Sequence, residues 1–226
     1  LEAFTLDAAV HYDGTRRLEH FSHVAAAAVP AESGDLEPDR RRTGATHVPS
    51  PMHPLVASGD MAEGHSFDFR ASYDEDNLYV WADVEDDLLR ATEGATDDYR
   101  DNLRIFLDGR QPREIGTGGY SGGVTWFSVY PYDDPDAEPE LDGRGDVAEK
   151  VKAAAVRTDT GYRVDCAIPW SVFSQVEGRP SVIGFDLALS SYDEEGEEVL
   201  RLSWTGRGRQ ERRPGNFGRL LIVEQD

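Results

Sequence analysis

From Ser66 onward the chain alternates with period two. In "SFDFRASYDEDNLYVWADVED", Phe67, Phe69 and Ala71 fall on one face of a first run. Leu78, Val80 and Ala82 fall on one face of a second, with the turn cluster "YDEDN" between the runs. Successive side chains leave a strand on opposite sides, so this pattern predicts half-buried strands, and two such runs around an Asp/Asn-rich turn predict a β-hairpin. The pattern recurs. "NLRIFLDG" sets Leu103, Ile105 and Leu107 on one face, and "GVTWFSVYPY" follows the glycine-rich loop "GTGGYSGG". "EKVKAAAVRTDTGYRVDCAIPW", "SVIGFDLALSSYDEEGEEVLRLSW" and "NFGRLLIVEQ" alternate around Thr-Gly, Glu-Gly or Pro-Gly turns. Roughly nine or ten strands result, and the sole helical candidate is a single turn at "PWSVFSQV". No long helical pattern separates the strands, so the expected fold is all-β: a single antiparallel β-sandwich of jelly-roll type over residues 1–226.

Residues 1–65 lack this order. "FTLDAAVHYDG" fits a strand and turn, and "HFSHVAAAAVPA" a second strand or a short helix. "ESGDLEPDRRRTGATHVPSPMHPLVASGD" carries Pro, Gly and Ser with no period and is expected to be a long loop lying over the domain. "DDPDAEPELDGRGD" reads as an acidic connection. The chain opens on Leu1, which fits a processed or cut product.

Charge narrows the function classes. The formal net charge is -21, and of the 23 basic residues only Lys150 and Lys152 are lysines. Nucleic acid and anionic membrane both require a basic surface, so neither is an expected partner. No stretch approaches the ~18 apolar residues of a membrane span. Many carboxylates with almost no lysine fit a protein that works in high salt, where the Debye length is roughly 3 Å at 1 M. A GC-rich coding sequence produces the same bias. The lone Cys166 shares a strand face with Tyr162, Val164 and Ile168, which makes it a core thiol rather than a nucleophile.

Each polar cluster has a plain reading beside a chemical one. Asp74, Glu75 and Asp76 sit at a turn tip, where a solvated turn is expected. Asp83, Glu85, Asp86 and Asp87 follow the strand "LYVWA" and could be ligands of a hard cation, which takes six to eight oxygens. Paired carboxylates could also serve glycoside hydrolysis, but in so acidic a chain suitable spacings arise by chance. The six histidines fit no helical or zinc-finger spacing and default to surface or loop positions. "GTGGYSGG" lacks a following Lys and a strand-to-helix step, which argues against a phosphate loop and any organic cofactor held by one. Trp81, Trp170 and Trp204 read as core. In "TWFSVY", Trp126, Ser128 and Tyr130 share one face opposite Phe127 and Val129, so Trp126 and Tyr130 can form an outward aromatic row suited to a sugar, or the seat of a covering loop.

"VHYDG", "SYDEDNLYVWADVEDD", "YRDNLRIFLDG", "GYRVDCAIPWSVF", "IGFDLALSSYDEEGEEVLRLSW" and "NFGRLLI" occur in an order that resembles the family 9 carbohydrate-binding modules and their DOMON-like relatives, over roughly residues 10–222. The resemblance implies a non-catalytic antiparallel sandwich that binds carbohydrate and often calcium. It implies a secreted or periplasmic setting beside a fused or neighbouring glycoside hydrolase. Tyr99 stands where the family carries the first tryptophan of a sugar clamp, Arg104 where a strand glutamate stands, Ser128 where an arginine stands, and Glu211 near the second tryptophan. With one aromatic kept and the charge reversed at Arg104, the implied ligand shifts towards an acidic glycan, since Arg104 and the "GRGRQERR" loop suit a carboxylate or sulfate. Two alternatives accompany this reading. One is an accessory domain that has lost its sugar site. The other is a haem-binding DOMON-like redox subunit, for which Met52, Met61 and the two lysines are the candidate ligands.

Overall fold

The computed structural model describes residues 4–7, 22–31, 34–38, 46–49, 54–57, 65–86, 100–120, 122–132, 137–173, 178–193, 196–205 and 209–223. The strands are β1 Phe4–Asp7, β2 Ser22–Pro30, β3 Thr46–Pro49, β4 Pro54–Ala57, β5 Ser66–Tyr73, β6 Asn77–Glu85, β7 Asn102–Asp108 and β8 Val124–Tyr130. They continue with β9 Glu140–Gly143, β10 Lys152–Thr158, β11 Gly161–Pro169, β12 Val182–Tyr192, β13 Glu198–Ser203 and β14 Gly218–Ile222. One four-residue helix, α1 Val147–Lys150, and two 3-10 turns, at Trp170–Val172 and Pro214–Asn216, lie between them among the described residues. No described helix is long and apolar enough to cross a membrane.

The strands form one ladder, β10-β11-β6-β5-β2-β14-β12-β7-β8-β9, that doubles back on itself. Two strands with divided partners produce the doubling. β5 pairs with β3 through Ser66–Phe69 and with β2 through Ala71–Tyr73. β12 pairs with β14 through Val182–Phe185 and with β13 through Ala188–Tyr192. A strand that changes neighbour along its length turns the sheet out of plane, and the two halves come face to face. Phe69 on β5 meets Phe185 on β12 at 5.8 Å and Trp204 at 5.2 Å between ring centroids. The core between the layers holds Phe67, Val80, Val84 and Val164 from one side and Ile105, Leu107, Phe127, Phe185 and Leu187 from the other. The antiparallel β-sandwich expected from the alternation is the observed fold.

The predicted pattern differs in three places, at β2, at β3 and β4, and at β9, while residues 34–38 lie over the domain as expected. β2 is a full strand, parallel to both β14 and β5, and its buried Ala25, Ala26 and Ala28 are small enough to sit where the layers join. β3 and β4 fall inside the stretch expected to be a loop and pair at the margins of β5 and β13. Residues 34–38 rest on the β6–β11 layer, where Gly34 O lies 3.2 Å from Tyr79 Oη and Glu37 N donates to Asp165 Oδ2 at 2.9 Å. β9 forms within the acidic connection by pairing with β8.

The tip of the β5–β6 hairpin answers to Asp74. Its Oδ1 accepts the N–H groups of Asp76 and Asn77, and its Oδ2 accepts Tyr79 Oη at 2.6 Å. Burial works against the carboxylate, but these hydrogen bonds outweigh it and hold Asp74 below its usual range. The same contact, after burial, pushes the Tyr79 hydroxyl up to about 12. Cys166 is fully buried, which raises its thiol well above the ordinary value and leaves it a core residue.

The β10–β11 turn leaves no room for a side chain. Gly161 has φ 153°, and a Cβ there would lie 2.1 Å from Val84 O across the ladder. Gly161→Ala is expected to destabilise the fold by ~2–3 kcal/mol, measured as the shift in chemical denaturation, because the β11–β6 ladder must part to admit the methyl.

Candidate functional site

Strand β12 has two buried faces. Ile183, Phe185, Leu187 and Leu189 enter the main core, while Asp186, Ala188 and Ser190, on the opposite face, are buried as well. The register places Arg104 of β7 opposite Ala188 of β12 and opposite Ser128 of β8, with Phe106 opposite Trp126. This second face carries its own apolar cluster of Phe106, Val124, Ala188 and Phe217, against which Tyr120 and Trp126 pack. Phe217 and Tyr120 come from two long connections, 109–123 between β7 and β8 and 204–217 between β13 and β14.

The first connection is braced by a buried ion pair. Arg110 donates to both oxygens of Asp108, at 2.7 and 2.6 Å, and to Thr117 O at 2.8 Å, while Gly116 N donates to Asp108 Oδ2. This folds the loop that delivers Tyr120. The second connection is tied to β12 by Asp186. Oδ2 of that carboxylate accepts Thr205 Oγ1 at 2.6 Å and Gln210 Nε2 at 3.1 Å, and Oδ1 accepts Thr205 N and Leu187 N. The loops meet where Tyr120 Oη donates to Gln210 O at 2.7 Å. Burial raises the Tyr120 hydroxyl, with a further push from Glu211.

Arg104 sits at the centre of the open part of this face. Its Nε donates to Ser128 Oγ at 2.8 Å, its Nη1 to Glu211 Oε1 at 3.3 Å, and its guanidinium lies over the Trp126 ring, 4.5 Å from the centroid. Arg201 brings Nη1 to 4.0 Å from the same Glu211 oxygen and is bonded through Nη2 to Glu198 at 2.7 Å. Arg201 loses some charge preference to burial, but the neighbouring Glu198 and Glu211 more than restore it. Tyr192, half-buried at the end of β12, lies within electrostatic reach of Arg201, Arg104 and Tyr130, and burial raises its hydroxyl. The result is a line of alternating charge, Glu198–Arg201–Glu211–Arg104, ending on an indole.

Of the residues singled out in the sequence, Arg104, Ser128, Trp126 and Glu211 are brought together. Tyr99 lies outside the described residues. Tyr130 does not form an outward row with Trp126: only 5% of it is exposed, and Arg100 covers its ring at 4.5 Å. Arg100 is held there by Glu140 at 2.9 Å, a partner contributed by β9, which the sequence did not reveal. Asp83 is paired with Arg163 at 3.0 Å, Asp86 is buried beside His65 at 3.3 Å, and Asp87 lies outside the described residues. Among the described residues no group of three or more His, Cys, Asp or Glu side chains is arranged to hold a metal. His65 is 2% exposed and is therefore not a surface histidine, because the start of β5 lies inside the sandwich. Met52 and Met61 lie outside the described residues, and Lys150 pairs with Asp146. Asp186, Thr205, Gln210, Tyr120 and Arg201 escaped the sequence reading. Asp186 occupies an alternating position that ordinarily faces water, and no local signal marks the loop that covers it.

Such a surface suits a polyhydroxylated ligand. Donors and acceptors stand side by side around Arg104, beside the indole of Trp126, which the guanidinium covers. The sequence profile of the family described as "Carbohydrate family 9 binding domain-like" matches residues 45–225. The endo-1,4-beta-xylanase A of Thermotoga neapolitana is 29% identical over 171 residues, covering 75% of this chain and 15% of the xylanase. Exoglucanase XynX of Acetivibrio thermocellus is 27% identical over 164 residues, covering 72% of this chain and 14% of that enzyme. The chain thus spans only a small part of the curated relatives it matches. Among solved structures, a family 9 carbohydrate-binding module from Caldicellulosiruptor kristjanssonii in complex with glucose superposes with a TM-score of 0.68 at 19% identity, over 89% of this chain and 97% of that one. A family 9 module from the same organism in complex with cellotriose gives 0.67 at 18%, over 89% of this chain and 95% of that one.

The buried carboxyl of Asp186 has a measurable signature. Burial lifts it to about 7 from 3.8, against the pull of Thr205 and Gln210. The unfolded chain therefore releases this proton near pH 4 and the folded chain near pH 7. Its contribution to stability is full below pH 4 and falls as pH rises to 7, by on the order of 4 kcal/mol. Asp186→Asn is expected to remove that slope, so that the stability difference between the two proteins, measured by denaturation from pH 4 to 8, changes by several kcal/mol in the variant's favour.

Proposed function

Because this chain belongs to the family 9 carbohydrate-binding domains, a family of non-catalytic modules, we propose that its ligand site is the β7–β8–β12 face centred on Arg104, and that this site prefers an acidic glycan. The carrying observation is the posture of Arg104, fixed by Ser128 and Glu211 with its guanidinium over the Trp126 ring. A guanidinium held in this way presents its remaining N–H groups without further ordering, which lowers the entropic cost of binding. A neutral sugar can bridge the pair, its hydroxyl oxygen accepting from Arg104 while its O–H donates to Glu211. A uronate or sulfate can take the place of Glu211 between Arg104 and Arg201, in the manner of a charge-assisted pair.

The xylanase relatives favour a β-linked glucose or xylose polymer as the backbone of that glycan, with a glycoside hydrolase fused or nearby. A polymer of that size is met outside the cell, which favours a secreted or periplasmic setting. A second reading, an accessory domain without sugar binding, draws support from the mutual satisfaction of Arg104 and Glu211 and from the covered ring of Tyr130.

Calorimetric titration separates these readings. A glucuronic-acid-bearing xylo-oligosaccharide is expected to bind more tightly than cellotriose, and less tightly as salt is raised. Arg104→Ala and Trp126→Ala should each weaken binding of both by roughly tenfold or more, through the loss of one charge-assisted bond or of the ring that holds Arg104 in place. Equal affinity for the two sugars overturns the acidic preference, and binding to neither leaves the accessory reading. A fall in Tm on adding EDTA, reversed by calcium, would establish the structural calcium, and an unchanged Tm would dismiss it.

A further inference from the structure

We infer that Asp186 is a positioning residue: through Thr205 and Gln210 its buried carboxylate holds the β13–β14 arm so that Glu211 stands against Arg104, and it thereby sets the balance between neutral and acidic ligands. The inference rests on the reading of Arg104 and Glu211 as ligand contacts.

Asp186 does not touch the ligand face. It is fully buried, and of the donors that reach its carboxylate only Leu187 N belongs to its own strand. Thr205 N, Thr205 Oγ1 and Gln210 Nε2 all belong to the arm. A buried polar group must find its hydrogen bonds inside the fold, and three of the four that Asp186 accepts come from the arm rather than from the strand. Gln210 is 1% exposed and gripped from both sides, its amide by Asp186 and its carbonyl by Tyr120. The residue before it, Arg209, has φ 67°, a left-handed backbone that a non-glycine side chain adopts when its surroundings impose it. Arg212 N and Arg213 N both return to Arg209 O and close the turn. Glu211 lies inside this turn, next to the gripped Gln210. Its backbone is fixed before any ligand arrives, and its side chain reaches Arg104 from that fixed point.

Glu211 is also what an acidic group must displace. Freeing the arm should therefore act in opposite directions on the two ligand classes, which a general loosening of the fold would not do. Three variants test this without removing the buried carboxylate. Thr205→Val keeps the shape and loses the hydroxyl, Thr205→Ser keeps the hydroxyl, and Gln210→Met loses the amide. Cellotriose and the glucuronic-acid-bearing xylo-oligosaccharide serve as probes by calorimetry, with amide hydrogen exchange of residues 209–213 measured without ligand. Thr205→Val and Gln210→Met are expected to weaken cellotriose roughly tenfold, to weaken the acidic probe less or tighten it, and to speed exchange in 209–213, with β7 and β12 unchanged. Thr205→Ser should behave as wild type. Equal weakening of both probes, or wild-type selectivity in Thr205→Val, overturns the role in selectivity. Unchanged exchange in both Thr205→Val and Gln210→Met overturns the anchoring. Absence of binding by the wild-type protein instead overturns the ligand reading, so the failures are distinct.

Discussion

Phe69 meeting Phe185 and Trp204 across the gap between layers is the contact on which the rest of this molecule hangs. Each ring removes a large apolar area from water, and the tilted and edge-on geometries suit the ring quadrupoles. Phe69 stands where β5 is still paired with β3, and Phe185 where β12 is still paired with β14. The aromatic contact thus sits close to both points at which the ladder changes partner and folds over. With the layers locked there, every even position on β7, β8 and β12 is turned away from the core.

That outward face then becomes a second interior. Phe106, Val124, Ala188 and Phe217 form an apolar patch that two long connections cover. Each connection relies on a buried aspartate: Asp108 gathers the loop after β7 through Arg110, and Asp186 gathers the loop after β13 through Thr205 and Gln210. A carboxylate can accept several hydrogen bonds at once, which is why one such residue can organise an irregular segment that has no ladder of its own. Among the described residues, what remains uncovered is the strip around Arg104, where the ligand site is proposed.

The acidity of the chain has two distinct outcomes. Part of it is solvated surface, as at the exposed side chains of Glu75 and Asp76 on the hairpin tip. A minority is paired with arginine in specific geometry: Asp83 with Arg163, Glu140 with Arg100, Glu211 with Arg104. Arginine suits these positions because its planar fork can bond a carboxylate and stack on a ring at once, as Arg100 does on Tyr130 and Arg104 on Trp126.

The alternation around Phe67, Val80, Ile105 and Phe185 determined the strands, the hairpin turns and the face that enters the core, because side-chain direction along a strand is a local property of period two. The order of those strands also carried the family resemblance, and with it Arg104, Ser128 and Glu211 as residues worth watching. Local pattern did not reveal that β2 runs parallel to its neighbours, that His65 is buried, that Tyr130 lies under Arg100, or that Asp186 is an interior anchor. Those were decided by tertiary structure, for a single reason. A strand's alternation says which side chains share a face. Whether that face meets water, another layer or a returning loop depends on segments that lie far away in the chain.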